Sequence, residues 1–310
     1  MGVHDACRVF KEFSERNTDA AVGVAAVHTL AQIIDLSNAT TMMGVMDELN
    51  ESVVAVQMLV GEEKRTSLRA ACDLFLRYVT RTSLEVLDFA KCKARLVDRG
   101  LRFAEHTQSS RRKICDFGVK FIQENSVILV HGISMVVTVI LETAVQLGKQ
   151  FSVILTQPDD QGNESQDRMI RRLLELSVSV TVVPDRAVAF VMGRVDFVMT
   201  GASGVVENGG IINIIGTLNV ALIAKALNRP FYVAVESYKF TRDFPLSQAD
   251  LSLQWKTSSR RASSNSPLLN AEFPVEDYTP PHLITLLMTD LGIVTPSAIS
   301  DYSGSETELQ

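Results

Sequence analysis

The side chains most able to do chemistry lie next to short apolar runs in the second half of the chain. His131 follows the run Val127–Val130, where an imidazole could serve as a general base or as a ligand. Asp196 and Glu236 lie at the start and the end of later runs, and either could be one of a pair of acids. No Cys or Asp lies close to His131 in sequence, so a purely structural histidine is the alternative. The other histidines fit no metal-binding spacing: His4, His28, His106 and His282.

A glycine-rich stretch from Gly201 to Thr217 is the second candidate. It follows a predicted strand and opens a predicted helix, so its backbone N–H groups could cradle an anion. It contains neither a dinucleotide-binding GxGxxG pattern nor a phosphate-binding loop ending in GK[ST], so it does not support a nucleotide site. The alternative is a tight connection between strand and helix, in which glycines permit positive φ and close backbone approach.

These residues need a scaffold, and the apolar pattern after Asn125 predicts one. Short β-rich runs alternate with stretches long enough for helices, which is typical of a parallel sheet covered on both faces. The runs are Val127–Val130, Phe151–Leu155, Val178–Val183, Asp196–Thr200 and Phe231–Glu236. Helices are predicted between them at Met135–Leu147, Glu164–Leu176, Asp185–Met192 and Ile214–Leu227. Because such sheets bind ligands beyond the carboxyl ends of their strands, the residues after each run form the expected site.

The first part of the chain shows helical periodicity instead. Val27, Leu30 and Ile34 recur at helical spacing, and no proline precedes Pro158. We therefore predict an α/β protein with an N-terminal helical domain over residues 1–120 and a parallel-sheet domain over residues 121–310. Within the second domain, residues 257–266 are predicted to form a mobile polar loop and residues 303–310 a polar tail. Ser263 in that loop lies in a pattern that basophilic kinases recognise, although such short patterns are common.

Composition excludes several classes of protein. With 46% hydrophobic residues the chain is too apolar to be disordered throughout. A net charge of −6 argues against direct nucleic-acid binding. The most apolar stretch, Ser126–Leu141, is interrupted by polar residues and is too short to span a membrane. Four cysteines without paired spacing predict reduced thiols and a cytoplasmic protein: Cys7, Cys72, Cys92 and Cys115.

Charge is distributed unevenly along the chain. Residues 1–63 carry a net charge of −7, residues 64–113 carry +8 and residues 114–310 carry −7. The basic segment could receive an acidic or phosphorylated partner. A solvated helix face rich in Lys and Arg is the alternative.

Several segments together resemble one known family. The stretches Val205–Asn213, Ile215–Thr217, Arg229–Ser237 and Leu291–Ser297 are similar to those of the alpha-subunit family of eukaryotic translation initiation factor 2B. The resemblance runs over residues 20–300, in the expected order. It implies a helical N-terminal domain followed by a Rossmann-like domain. The same superfamily contains isomerases that act on ribose 1,5-bisphosphate or methylthioribose 1-phosphate.

At four positions the chain departs from the isomerases that it resembles. Their catalytic Cys corresponds to Gly132, and their catalytic Asp corresponds to Gly210 in Asn208-Gly209-Gly210. A Lys and an Arg that would face an anionic substrate correspond to Ile214 and Gln157. Aldose–ketose isomerisation needs a positioned acid and base, and glycine supplies neither. We therefore expect no catalytic residue, no cofactor and no metal.

The resemblance implies a regulatory subunit of the guanine-nucleotide exchange factor for initiation factor 2. Such a subunit would pair with itself, bridge the beta, gamma, delta and epsilon subunits, and help to recognise the phosphorylated alpha subunit of initiation factor 2. Its expected partner surface comprises Thr41, Arg65, Arg69, Arg77 and Arg81. Its expected dimer interface comprises Ile211, Ile215, Tyr238 and Phe240, on a helix beginning at Asn213 and the segment Tyr238–Leu246. A vestigial pocket for a sugar phosphate would be lined by His131, Gly132, Asn208, Gly209, Gly210 and Asn213.

Two alternatives stay open at this point. One is a sugar-phosphate isomerase of the same superfamily with relocated catalytic groups, against which Gly132 and Gly210 argue. The other is a beta or delta regulatory subunit, against which the compact length of 310 residues argues.

Overall fold

The computed structural model describes residues 3–17, 20–61, 64–86, 88–157, 164–251 and 274–302. The predicted loop 257–266 with Ser263 and the predicted tail 303–310 lie outside the described residues. The chain forms two compact units, one built from Met1–Ser109 and the other from Ser110–Gly304. The division falls inside a long helix, Phe89–Gly118, whose end lies close to the boundary at residue 120 that the sequence suggested.

The first unit is helical, as its periodicity predicts. Its helices are α1 (Val3–Arg16), α2 (Val22–Leu36), α3 (Met42–Leu59), α4 (Arg65–Glu85) and the first part of α5 (Phe89–Gly118). Val27, Leu30 and Ile34 of α2 are buried, because helical spacing puts them on one side of the helix. Gly100 of α5 lies against Ala31 and Phe75, where a Cβ would collide with both side chains.

The second unit is built on a seven-stranded sheet. Its order is β10-β9-β7-β4-β1-β2-β3, and every pairing is parallel except that of β10 with β9. This confirms the predicted α/β class. The strands are β1 (Ser126–His131), β2 (Phe151–Gln157), β3 (Ser179–Pro184), β4 (Phe197–Thr200), β7 (Phe231–Ala234), β9 (Leu286–Thr289) and β10 (Gly292–Val294). The helices that accompany them include α6 (Met135–Gln146), α7 (Glu164–Glu175), α8 (Val188–Val191) and α9 (Thr217–Ala226).

Both faces of this sheet are covered, which explains why its strands are apolar throughout. Leu129 and Ile154 belong to one buried cluster, whereas Ile128 and Val153 belong to another. Successive residues of a strand point to opposite faces, so a strand buried on both sides carries no polar alternation. None of the helices in the described ranges combines the length and the apolar character that crossing a membrane requires.

A second, antiparallel sheet was not predicted. It consists of β5 (Gly204–Val205), β6 (Ile211–Ile214) and β8 (Glu276–Thr279), in the order β5-β6-β8. The helix predicted from Ile214, and placed as early as Asn213 for the dimer interface, therefore starts at Thr217 instead. Gly216 adopts a left-handed φ of 99° that separates strand from helix. A short run of isoleucines fits either structure, and only its pairing with β8 decides for the strand.

Candidate functional site

His131 is the buried polar centre of the carboxyl edge of the large sheet. It ends β1 and is only 3% exposed. Its Nδ1 lies 2.7 Å from Oγ1 of Thr156 on β2 and 3.8 Å from Oδ1 of Asp185 after β3. Burial lowers the pKa of the imidazole, although the Asp185 carboxylate acts in the opposite direction. Burial therefore favours the neutral imidazole, although the backbone of Ile215 and Ile214 also acts to raise its pKa. The Nε2 atom forms no hydrogen bond of ordinary geometry with the described residues.

Gly132 lies next to His131 and offers no reactive group. Its φ is 72°, and a Cβ on it would lie 3.0 Å from Cγ2 of Ile214. Ile214 is the residue that the sequence resemblance matches to the lysine of the isomerases, and this correspondence stays a prediction. Two of the four sequence departures are therefore side by side in space, and both are apolar. A nucleophile or proton donor is absent from this contact.

The hydrogen-bond donors expected to face a sugar phosphate are already used within the chain. The side-chain amide of Asn213 donates to Oγ1 of Thr200 at 3.2 Å and to Oγ1 of Thr217 at 3.1 Å. Backbone N–H groups are used as well: that of Gly209 donates to Val206 and that of Gly210 to the Asn208 side chain. Because Nδ2 carries only two hydrogens, Asn213 has no amide donor left. These donors are therefore engaged within the chain, and the pocket for a sugar phosphate stays a prediction.

Asn208, Gly209 and Gly210 form a packed turn with contacts of its own. The Asn208 amide donates to the carbonyl of Pro245 at 2.7 Å and to the Tyr278 hydroxyl at 2.8 Å. A Cβ on Gly209 would collide with the backbone of Pro296, and one on Gly210 with the Tyr278 ring. The glycines are therefore required for close approach, which confirms the alternative of a tight connection. A carboxylate cannot be added at Gly210 without displacing Tyr278.

The helix N-terminus after the glycine-rich stretch does hold an anion, but the protein supplies it. Asp277 of β8 accepts hydrogen bonds from the backbone N–H groups of Gly216 at 2.7 Å and Leu218 at 3.1 Å. Burial raises the pKa of this carboxyl to about 7, while the two N–H groups act in the opposite direction. The sequence predicted that backbone N–H groups here could cradle an anion, and the group that they contact is a side chain of the chain itself. Asp277 follows Gly216 by 61 residues, and no local pattern marks it.

Glu236, a candidate for a pair of acids, is paired with two cations instead. Its Oε1 lies 3.0 Å from Nε of Arg111 and its Oε2 lies 3.0 Å from Nζ of Lys239. Burial by itself raises the pKa of Glu236, but the Lys239 ammonium and the Arg111 guanidinium lower it to about 2. This ion cluster ties α5 to the end of β7. The Asp196 carboxylate accepts a hydrogen bond from the backbone of Val127, which is a structural contact as well.

Three of the four residues predicted at a dimer interface are buried inside the chain. Ile211 is 0% exposed and belongs to the core of the sheet, and Tyr238 and Phe240 are also buried. Their assignment to a dimer surface is therefore wrong, since the protomer already covers these side chains. Ile215 is 41% exposed and stays available. The error arose from expecting a helix where β6 pairs with β8 on one side and β5 on the other.

The four arginines predicted to meet a phosphorylated partner lie along α4. Arg69 pairs with Asp73 at 3.5 Å, and Arg81 pairs with Glu85 at 2.8 Å. Arg65 and Arg81 are 16 residues apart, which separates them by about 24 Å along the helix and by about 160° around it. One phosphate therefore cannot contact the whole set, which also includes Arg77. Thr41 is exposed and caps α3, accepting a hydrogen bond from the N–H of Gly44 at 3.2 Å.

No group of His, Cys, Asp and Glu side chains suited to a metal ion occurs in the described parts of the chain. The described cysteines are free thiols, and burial raises the pKa of three of them: Cys72, Cys92 and Cys115.

Comparison with known proteins adds to this geometry. The model of the Initiation factor 2 subunit family matches residues 15–296. Translation initiation factor eIF2B subunit alpha of Dictyostelium discoideum is 40% identical over 94% of this chain and 93% of its own length. Ribose 1,5-bisphosphate isomerase of Archaeoglobus fulgidus is 29% identical over 71% of this chain and 70% of its own length.

The fold has solved counterparts too. A chain of the tetrameric eIF2B-beta2-delta2 complex from C. thermophilum superposes with a TM-score of 0.75, covering 98% of this chain and 94% of its own. Its sequence identity is 17%, so this likeness concerns the fold alone.

Proposed function

This chain belongs to the Initiation factor 2 subunit family, and on that premise we propose that it is the alpha regulatory subunit of translation initiation factor 2B. The observation that carries the proposal is the similarity to the alpha subunit of Dictyostelium discoideum, which extends over nearly the full length of both chains. In this role the chain is a non-catalytic part of the guanine-nucleotide exchange factor for initiation factor 2. It would act in the cytoplasm.

The candidate site supports a role without catalysis. Gly132 lies against Ile214 and Gly210 lies against Tyr278, and neither glycine supplies an acid, a base or a nucleophile. The neutral His131 alone cannot both remove and return a proton between two sugar carbons while an oxyanion is stabilised. The alternative of a sugar-phosphate isomerase is favoured by weaker similarities, such as that to the Archaeoglobus fulgidus enzyme.

We propose that the subunit pairs with itself and bridges the beta, gamma, delta and epsilon subunits. The exposed side chain of Ile215, between β6 and α9, supports a contact surface at this place. Contact with the phosphorylated alpha subunit of initiation factor 2 is proposed for the arginines of α4 and for Thr41. Because Arg65 with Arg69 and Arg77 with Arg81 form two separate pairs along the helix, a single phosphate would engage one pair. Arginine binds phosphate in a bidentate manner.

A sugar phosphate remains a proposed ligand. The support for it comes from Nε2 of His131 and not from the amide donors of Asn213. The Nε2 atom of His131 is buried and forms no hydrogen bond of ordinary geometry with the described residues, so it could bond to a sugar hydroxyl. Ribose 5-phosphate at millimolar concentration should then raise the melting temperature of the chain, and His131→Leu should abolish the shift. An unchanged melting temperature would argue against the ligand.

The regulatory role is tested by nucleotide release from initiation factor 2. The chain alone should release no GDP, and the complete assembly should release it more slowly when initiation factor 2 is phosphorylated. An assembly without this chain should lose that sensitivity. Equal inhibition with and without the chain would contradict the role, and conversion of ribose 1,5-bisphosphate by the chain alone would favour the isomerase.

A further inference from the structure

Helix α3 has one face that packs against its own unit and one face that is exposed. Val45, Leu49 and Val56 are buried and attach the helix to its neighbours. On the other side, Met43 is 74% exposed, Val54 51% and Met58 76%. Large apolar side chains grouped on one exposed face indicate a contact surface, whereas single ones are ordinary.

The exposed apolar residues and two exposed acids form one continuous row. We use the name α3 stripe for Met43, Asp47, Glu51, Val54 and Met58, which are all exposed. With 3.6 residues per turn these positions fall within about 80° around the helix and extend about 22 Å along it. The α3 stripe is therefore a straight ridge in which two acidic side chains, Asp47 and Glu51, lie between Met43 at one end and Val54 with Met58 at the other.

Helix α3 itself and the chain on either side of it carry no positive charge. No Lys or Arg occurs between Arg16 and Lys64, while this interval contains seven Asp and Glu residues. The exposed Asp47 and Glu51 make this part of α3 unfavourable for an acidic segment, in contrast to the arginines of α4. The charge complement of the α3 stripe is a partner with Lys or Arg.

We propose that the α3 stripe binds a basic amphipathic helix of a protein partner. Apolar side chains of that helix would cover Val54 and Met58, and its cations would pair with Asp47 and Glu51. Methionine side chains are flexible and adapt to different apolar surfaces, which suits a helix laid along a helix. This contact goes beyond the proposed function, which assigned phosphate recognition to a surface of opposite charge.

The test uses the full chain and two synthetic probes. One is a fluorescent 18-residue helical peptide of Leu and Lys with amphipathic spacing, and the other has Glu in place of Lys. Fluorescence anisotropy should show that the Lys peptide binds at least about tenfold more tightly than the Glu peptide. The difference should shrink as salt is raised.

Variants decide whether the α3 stripe is the site. Met58→Lys with Val54→Lys should weaken binding of the Lys peptide about tenfold or more. Leu84→Lys is the matched control, because Leu84 lies on α4 and is 77% exposed, as Met58 is 76%. It should change the affinity less than twofold, and circular dichroism should show that all variants are folded. Equal binding of both peptides, or equal weakening by the control, would overturn the proposal. Neither result depends on whether the chain acts in initiation factor 2B.

Discussion

The carboxylate of Asp277 caps helix α9 through the backbone N–H of Gly216, with 2.7 Å between Oδ2 and the nitrogen. The backbone N–H of Leu218 donates a second hydrogen bond, to Oδ1 of the same carboxylate. A helix N-terminus after a glycine-rich turn is a common place for a phosphate, because its free N–H groups and dipole favour an anion. Here the protein fills that place with its own side chain.

Burial of the Asp277 carboxyl, which outweighs the two N–H groups, predicts a specific pH dependence. The pKa of Asp277 is raised from 3.8 to about 7 in the folded chain. The native state therefore holds this proton more tightly than the unfolded state. Its contribution to stability is complete below about pH 4 and is lost as the pH rises to about 7. Urea unfolding of the wild type should show this decline, whereas Asp277→Asn should not. An identical pH profile for both proteins would contradict the assignment.

The Glu236 cluster predicts the opposite dependence on pH. Its pKa is lowered from 4.5 to about 2, so its stabilising contribution is present above about pH 4.5 and is lost as the pH falls through about 2. At pH 7, Glu236→Gln leaves Arg111 and Lys239 without a counter-charge and should cost about 3–5 kcal/mol in urea unfolding. Glu85→Gln, which breaks the exposed pair with Arg81, is the control and should cost less than about 1 kcal/mol. Similar losses in both variants would refute the role of the cluster.

Replacing each of two isoleucines by aspartate should distinguish an effect on folding from an effect on assembly. Ile211→Asp places a carboxylate in a fully buried core and should unfold the second unit. Ile215→Asp changes an exposed side chain and should leave the circular dichroism unchanged while the homodimer dissociates. Native mass spectrometry gives the readout. If Ile215→Asp kept the mass of a dimer, the proposed contact at Ile215 would be wrong.

Gly210 should tolerate no side chain. A Cβ there would collide with the Tyr278 ring and with the carbonyl of Thr279. Gly210→Ala should therefore lower the free energy of unfolding by about 1–3 kcal/mol. Gly193→Ala is the matched control, since no atom lies within 4 Å of a Cβ at that position. Gly210→Asp should likewise be destabilised and should not create isomerase activity. A stable Gly210→Asp chain with isomerase activity would show that this turn accepts a side chain, contrary to the prediction.

Local patterns explain how much of this could be predicted. The parallel strands and the helices of the first unit were predicted because apolar periodicity is a property of neighbouring residues. Strand β6 was taken for the start of a helix, because its isoleucines fit both structures until β8 pairs with them. Contacts between residues far apart in sequence leave no local pattern. Arg111 and Glu236 are 125 residues apart, and only the fold brings them together. The donors of Asn213 also depend on the fold, since Thr200 and Thr217 take both of them.

As a regulatory subunit, the chain should occur in cells within a larger exchange factor. Purification of the tagged chain from extract of its own cells, followed by native mass determination, tests this. We expect an assembly far above twice 34.1 kDa that contains the other subunits of initiation factor 2B. Recovery of a homodimer alone, without any initiation-factor subunit, would contradict it.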